Sequence, residues 1–163
     1  MTYPPLDVTP IWASVNEDLI EIIDLFGDEK LNWSPQPQRW SARGILLHCV
    51  IGRFGISGAV IQDGKPNPDI LKQGQNKEGL KSQLRASWER LAEFVGNAAL
   101  LAGEYDVPYQ GKTAKLNGHW LAFGLLEHDI HHRGELVGYL DLLGIAHAEP
   151  DSIERRLREL TGS

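Results

Sequence analysis

The residues best suited to do chemistry lie in one short stretch, Glu127-His128-Asp129-Ile130-His131-His132-Arg133-Gly134-Glu135. His128 and His132 are four apart. At about 100° per residue on a helix they sit one turn above each other on nearly the same face. Two imidazoles so placed can converge on one ion. The stripe they share reads Leu121, Leu125, His128, His132, Glu135, Tyr139 and Leu142, so the pair occupies a line that should face a core. Neutral imidazoles there destabilise the fold unless they find partners, and a divalent metal is such a partner. A third ligand should come from another inward face. His48 is the best candidate, because it stands among Ile45, Leu47, Val50 and Ile51, where a histidine is otherwise hard to explain. Three protein ligands leave a coordination position open, as catalytic sites do. That position would accept water, or a thiol whose pKa falls on coordination.

Four amphipathic segments must hold these residues. The first begins near Thr9-Pro10, a cap followed by proline, and carries Trp12, Val15, Leu19, Ile22 and Phe26 before Gly27. The second starts at the N-cap Ser41, with Trp40 and Ile45 placed as a hydrophobic staple. It runs through Leu47, Val50, Ile51, Phe54, Ile56 and Ile61 to Gly64, and Gly52, Gly55 and Gly58 leave room for close approach. The third spans Lys77 to Ala102, with Leu80, Leu84, Trp88, Leu91, Val95 and Ala98 on one face. The fourth starts near Asn117 and ends at Leu143-Gly144, and a short fifth begins at the cap Asp151 with Ile153, Leu157 and Leu160 as its stripe. Only Tyr105 to Tyr109 hints at extended chain. The expected fold is all-α, a four-helix bundle with a short additional C-terminal helix, and a single domain over 1–163. The long connections suggest that one crosses the end of the bundle.

Composition narrows the function. The 163 residues carry a formal net charge of −6, which disfavours binding to a phosphate backbone. The one cysteine, Cys49, excludes an intramolecular disulfide and a Cys-rich zinc site. With nothing cationic beside it in sequence, it reads as a buried, inert thiol. No export signal and no membrane span are expected, and the compartment is expected to be cytoplasmic. His119, His131 and His147 read as bystanders, Arg133 as a salt-bridging residue, and Lys112 and Lys115 as solvated. Trp12, Trp40 and Trp88 read as core or staple anchors, and Trp120 as a wall at the site entrance.

Trp40-Ser41-Ala42-Arg43-Gly44-Ile45-Leu46-Leu47-His48 resembles the start of the second helix in the DinB/YfiT-like family. His128-Asp129-Ile130-His131-His132-Arg133-Gly134-Glu135 resembles that family's His-x-x-x-His-Arg-Gly-Gln motif. The resemblance implies a four-helix bundle holding one divalent metal on His48, His128 and His132, in a protein that often forms homodimers. Zinc or nickel is the first expectation, with manganese and iron as alternatives, since three histidines accept several ions. Relatives include transferases that use low-molecular-weight thiols and a thiol-dependent isomerase, so a small-molecule substrate and an external thiol are implied. Glu135 stands where the family has glutamine. It would either orient a ligand histidine or lie on the surface. No catalytic residue is singled out; Asp129, Glu135 and Tyr139 are the groups near the stripe. A non-catalytic module with a structural metal or a ligand-sensing role is the alternative. A zincin-like hydrolase, with Asp129 in the place of glutamate in His-Glu-x-x-His, is a third reading.

Overall fold

The computed structural model describes residues 7–63, 69 and 76–162. Its long helices are α1 (Thr9–Leu25), α2 (Ala42–Ile61), α3 (Lys77–Val95) and α5 (Gly118–Leu142). A short α4 (Ala98–Ala102) and a hairpin of β1 (Glu104–Tyr109) and β2 (Lys112–Asn117) lie between α3 and α5, and α6 (Ser152–Thr161) follows. The four-helix bundle with a C-terminal helix is therefore the observed architecture.

Within the bundle, α1 and α2 each pack on both α3 and α5, which sets α1 opposite α2 and α3 opposite α5. Two connections must therefore cross a bundle end. Residues 26–41 make one crossing, with a 3-10 turn at Lys30–Asn32 that buries Leu31. The other is made by α4 and the hairpin.

The hairpin departs from the sequence expectation. β1 and β2 pair antiparallel from Glu104↔Asn117 to Tyr109↔Lys112, and Gln110 and Gly111 both take positive φ, 49° and 74°, as a type I′ turn requires. β2 is exposed along nearly its whole length, so it has no apolar alternation to read. Lys115 on it pairs with Asp106. The third helix is also shorter than expected. Gly96 ends it, and Asn97 recaps the chain by accepting from the backbone of Ala99 and Leu100. Gly118 allows a tight return into α5, because a Cβ there would stand 2.3 Å from the Leu100 carbonyl oxygen.

Most predicted caps hold. Ser41 Oγ accepts from Gly44 N at 3.2 Å, Asn117 Oδ1 from Trp120 N at 2.9 Å, and Asp151 Oδ1 from Ile153 N at 2.7 Å. Thr9 is instead the first helical residue of α1, and its N–H is taken by Asp7 Oδ1 at 3.0 Å. The Gly64 stop proposed for α2 lies outside the described residues. α2 also turns a different face inward. Ala42, Ile45, Leu46, Cys49, Val50, Arg53, Phe54, Ser57 and Val60 are buried, and Ile51 is exposed. By length and composition alone α2 could cross a membrane. It instead packs between α3 and α5 with Arg53 buried in its middle, as a core helix does.

The C-terminal helix inverts its expected amphipathicity. Arg155 reaches Asp18 and Glu21 of α1, while Ile153, Leu157 and Leu160 face solvent. Just before this helix, Gly144 turns the chain with φ 66°. His147 then bonds the Asp141 carboxylate through Nε2 at 3.0 Å and the Ala148 carbonyl through Nδ1 at 3.1 Å. With an acceptor on each nitrogen, the imidazolium is favoured and its pKa is raised, the Ala148 bond being the larger cause and Asp141 the next. A raised pKa means stabilisation that is complete below about pH 6.5 and fades as pH rises through the folded-state value. His147→Ala should therefore lower the melting temperature by about 1–3 °C more at acid pH than at alkaline pH, the range of a pair whose carboxylate stands in solvent. Equal losses at both would show that the charge contributes nothing.

Candidate metal centre

The site forms where α2 and α5 run side by side. His128 and His132 project from α5 toward His48 on α2, and the three offer ligand nitrogens that all lie within 4.8 Å of one another. His128 Nε2 and His48 Nε2 are 2.8 Å apart. Ring centroids are separated by 4.6 Å for His48 and His128, 4.4 Å for His128 and His132, and 5.0 Å for His48 and His132. Nitrogens bound to one tetrahedral zinc stand about 3.3 Å apart, given bonds of about 2.0–2.1 Å. The observed separations, 2.8 Å for one pair and at most 4.8 Å within the group, bracket that value. A Cβ on Gly52 would lie 3.7 Å from His128 Cε1, an ordinary van der Waals contact, so the His128 ring rests directly against α2.

The electrostatics also suit a metal. Burial holds the pKa of His48 below the ordinary histidine value, and the neighbouring His128 and His132 add to the effect. Burial likewise lowers His132, against the opposing pull of Glu135. Unprotonated imidazoles are the form that ligates. Glu135 Oε2 lies 2.7 Å from His132 Nδ1, which commits that nitrogen and leaves Nε2 for an ion. Glu135 therefore turns onto His132 rather than standing free on the surface. His131, by contrast, is exposed and only 3.6 Å from the same carboxylate.

The cleft beside the cluster has a volume of about 290 Å³ and is lined by Gln38, Arg39, Trp40, Ile45, His131, His132 and Glu135. Trp40 is the wall that sequence reasoning assigned to Trp120. Its ring lies 4.3 Å from that of His48 and 6.2 Å from that of His132. Tyr139, whose hydroxyl donates to the Trp40 carbonyl at 3.0 Å, fixes this wall in place. Trp120 is exposed at the start of α5, three helical turns from His132. Gln38 and Arg39 were missed because a polar residue in a Pro/Gln-rich connection gives no sign of facing a site.

Asp129 is not in the cleft. It is fully buried, with Oδ2 accepting from Arg53 Nε at 2.8 Å and Trp12 Nε1 at 2.7 Å. Arg53 goes on to Asn16 Oδ1 at 2.7 Å and Ser87 Oγ at 3.4 Å. The expectation that nothing cationic lies near Cys49 is thus corrected, since Arg53 follows one turn later. The thiol is nonetheless held in its protonated form, chiefly by burial and then by the Asp129 charge. Asp129, locked on Arg53 and Trp12, is in no position to act on water in the cleft, which removes the specific support for a zincin-like reading. Arg133 forms the expected salt bridge, to Asp18 at 2.6 Å.

The comparisons with known proteins agree with this architecture. The structure resembles that of a DinB-like protein from Bacillus subtilis, with a TM-score of 0.66 and 16% identity over 87% of this chain and 95% of that one. It also resembles a DinB-like protein from Bacillus cereus, with a TM-score of 0.61 and 16% identity over 85% of this chain and 92% of that one. At such identity the likeness concerns the fold. No curated protein matches the sequence. The family match itself covers residues 5–156, which takes in α1, the histidine cluster and the start of α6, and on that extent the chain belongs to the DinB family.

Proposed function

We propose that this protein binds one divalent metal ion on His48, His128 and His132 and uses the open position as a metal-dependent transferase acting with a low-molecular-weight thiol. The observation that carries the reading is the convergence of three imidazoles beside an open cleft, with Glu135 on the outer nitrogen of His132. Bound there, zinc, nickel, manganese or iron would lower the pKa of a coordinated thiol or water. Cys49 is buried and held as a neutral thiol, so the thiol must come from a small molecule entering the cleft. Trp40 and Ile45 give that molecule an apolar wall, and Arg39 a cationic rim. A cytoplasmic homodimer belongs to the same reading, without nucleic acid or membrane as partner. The alternative is a structural or ligand-sensing metal.

Elemental analysis followed by cobalt substitution tests this. The purified protein should carry about one equivalent of metal. The cobalt form should develop a sulfur-to-metal charge-transfer band when glutathione or cysteine is added. Absence of stoichiometric metal, with no stabilisation by added zinc, nickel or manganese, would overturn the metal reading. Bound metal that no thiol perturbs would favour the structural alternative.

A further inference from the structure

We propose that Asp129 is a positioning residue for His128, selecting the tautomer that carries its proton on Nδ1 and so leaving Nε2 as the electron-pair donor. The inference rests on the metal reading for its consequence but not for its first test. Among the buried polar atoms without a hydrogen-bond partner here, which include Arg53 Nη2 and Asn16 Nδ2, His128 Nδ1 and Asp129 Oδ1 are the two that face each other. They lie 3.6 Å from each other, about 0.7–0.9 Å beyond a charge-assisted bond, a gap that a small turn of the His128 ring would shorten. The carboxylate cannot turn away, because Oδ2 is held by both the Arg53 guanidinium and the Trp12 indole. A carboxylate has only acceptors to offer, so where Oδ1 faces His128 Nδ1 the stable arrangement puts the ring proton on that nitrogen. The remaining nitrogen, Nε2, then faces His48 Nε2 at 2.8 Å with a lone pair. Without metal, His48 is the donor in that contact.

The anchors come from three other elements. Trp12 and Asn16 belong to α1, Arg53 to α2, and Ser87, which meets Arg53, to α3. The orientation of one ligand histidine is thus set by all four long helices. The nearby group of Cys49, His128 and Asp129 has ligand-like spacing, yet Arg53 already places a cation on that carboxylate. The network is therefore built to steer His128 rather than to bind a second ion.

Asp129→Asn reverses the instruction. Arg53 and Trp12 both donate toward the Oδ2 position, so the amide must put its oxygen there and point its NH₂ at His128 Nδ1. That nitrogen then has to accept, which forces the proton onto Nε2. Histidine ring ¹⁵N–¹H long-range correlation spectra of the metal-free protein, recorded above the titration range, read the tautomer directly. Wild type should show His128 protonated on Nδ1 and His48 on Nε2, and Asp129→Asn should show His128 protonated on Nε2. Zinc affinity measured by calorimetry should fall about 10–100-fold, the usual effect of losing such a partner. An Nε2-protonated His128 in wild type overturns the proposal, with no need for the variant to fold. So does a folded Asp129→Asn protein with unchanged tautomer or with zinc affinity within twofold of wild type. If the tautomers behave as described but wild type binds no zinc, the positioning stands and the metal reading fails.

Discussion

Replacing Arg53 by alanine should destabilise the metal-free protein by about 3–5 kcal/mol, the range for removing one partner of a buried ion pair. Arg53 and Asp129 are both completely shielded from solvent and meet at 2.8 Å. Removing the guanidinium strands a carboxylate that burial penalises, Arg53 being the foremost of the groups that counter that penalty and keep its pKa below the usual aspartate value. It also frees Asn16 Oδ1, Ser87 Oγ and the space between α1, α2 and α3. Urea unfolding measures the loss. The double replacement Arg53→Met with Asp129→Leu should cost clearly less than Arg53→Ala alone, because no buried charge is left unpaired. Should Arg53→Ala unfold at nearly the wild-type urea concentration, water must reach Asp129 and the buried pair is not the anchor described above.

This pair also marks where the sequence stops being readable. The His128/His132 relation is local, set by four residues of helical spacing, and His48 betrays itself as a polar ring in an apolar helix. Arg53 sits 76 residues from Asp129 in the chain, and nothing in the local pattern of either says that they meet. Charged residues in a helical segment default to the surface, so local pattern makes Asp129 an accessory to the metal stripe, whereas it is fully buried in the bundle core. α2 is apolar on nearly every side, so periodicity does not select its inward face, and the structure exposes Ile51 and buries Arg53. Trp40 was legible as a residue beside a helix start. That it lies against His48 depends on the path of the crossing connection, which Tyr139 fixes from a different helix. In α6 the amphipathic stripe is present as a pattern, but Arg155 turns the charged side to α1 and the apolar side to solvent.

The His48→Ala variant should lose the stabilisation that added metal gives to wild type while keeping most of the stability of the metal-free fold. A ligand bound only by the native state contributes about 2.7 kcal/mol at a free concentration of one hundred times Kd, which in a chain of this size raises the melting temperature by about 5–10 °C. His48 supplies one of three donors and the only one from α2, so without it an ion is left with an i,i+4 pair on a single helix. The metal-free cost should be small, because His48 is only half-buried and its contacts are with Trp40 and the other two histidines. His131→Ala is the matched control, since that ring is exposed and, among the described residues, meets Glu135 and the edge of His132. Thermal scans of the three proteins, with and without zinc, separate the cases. A metal-induced rise that persists in His48→Ala but vanishes in His131→Ala would move the site outward to His131, His132 and Glu135, which also have ligand-like spacing. Loss confined to His48→Ala assigns the ion to the interface of α2 and α5, where its binding would clamp two neighbouring helices of the bundle together.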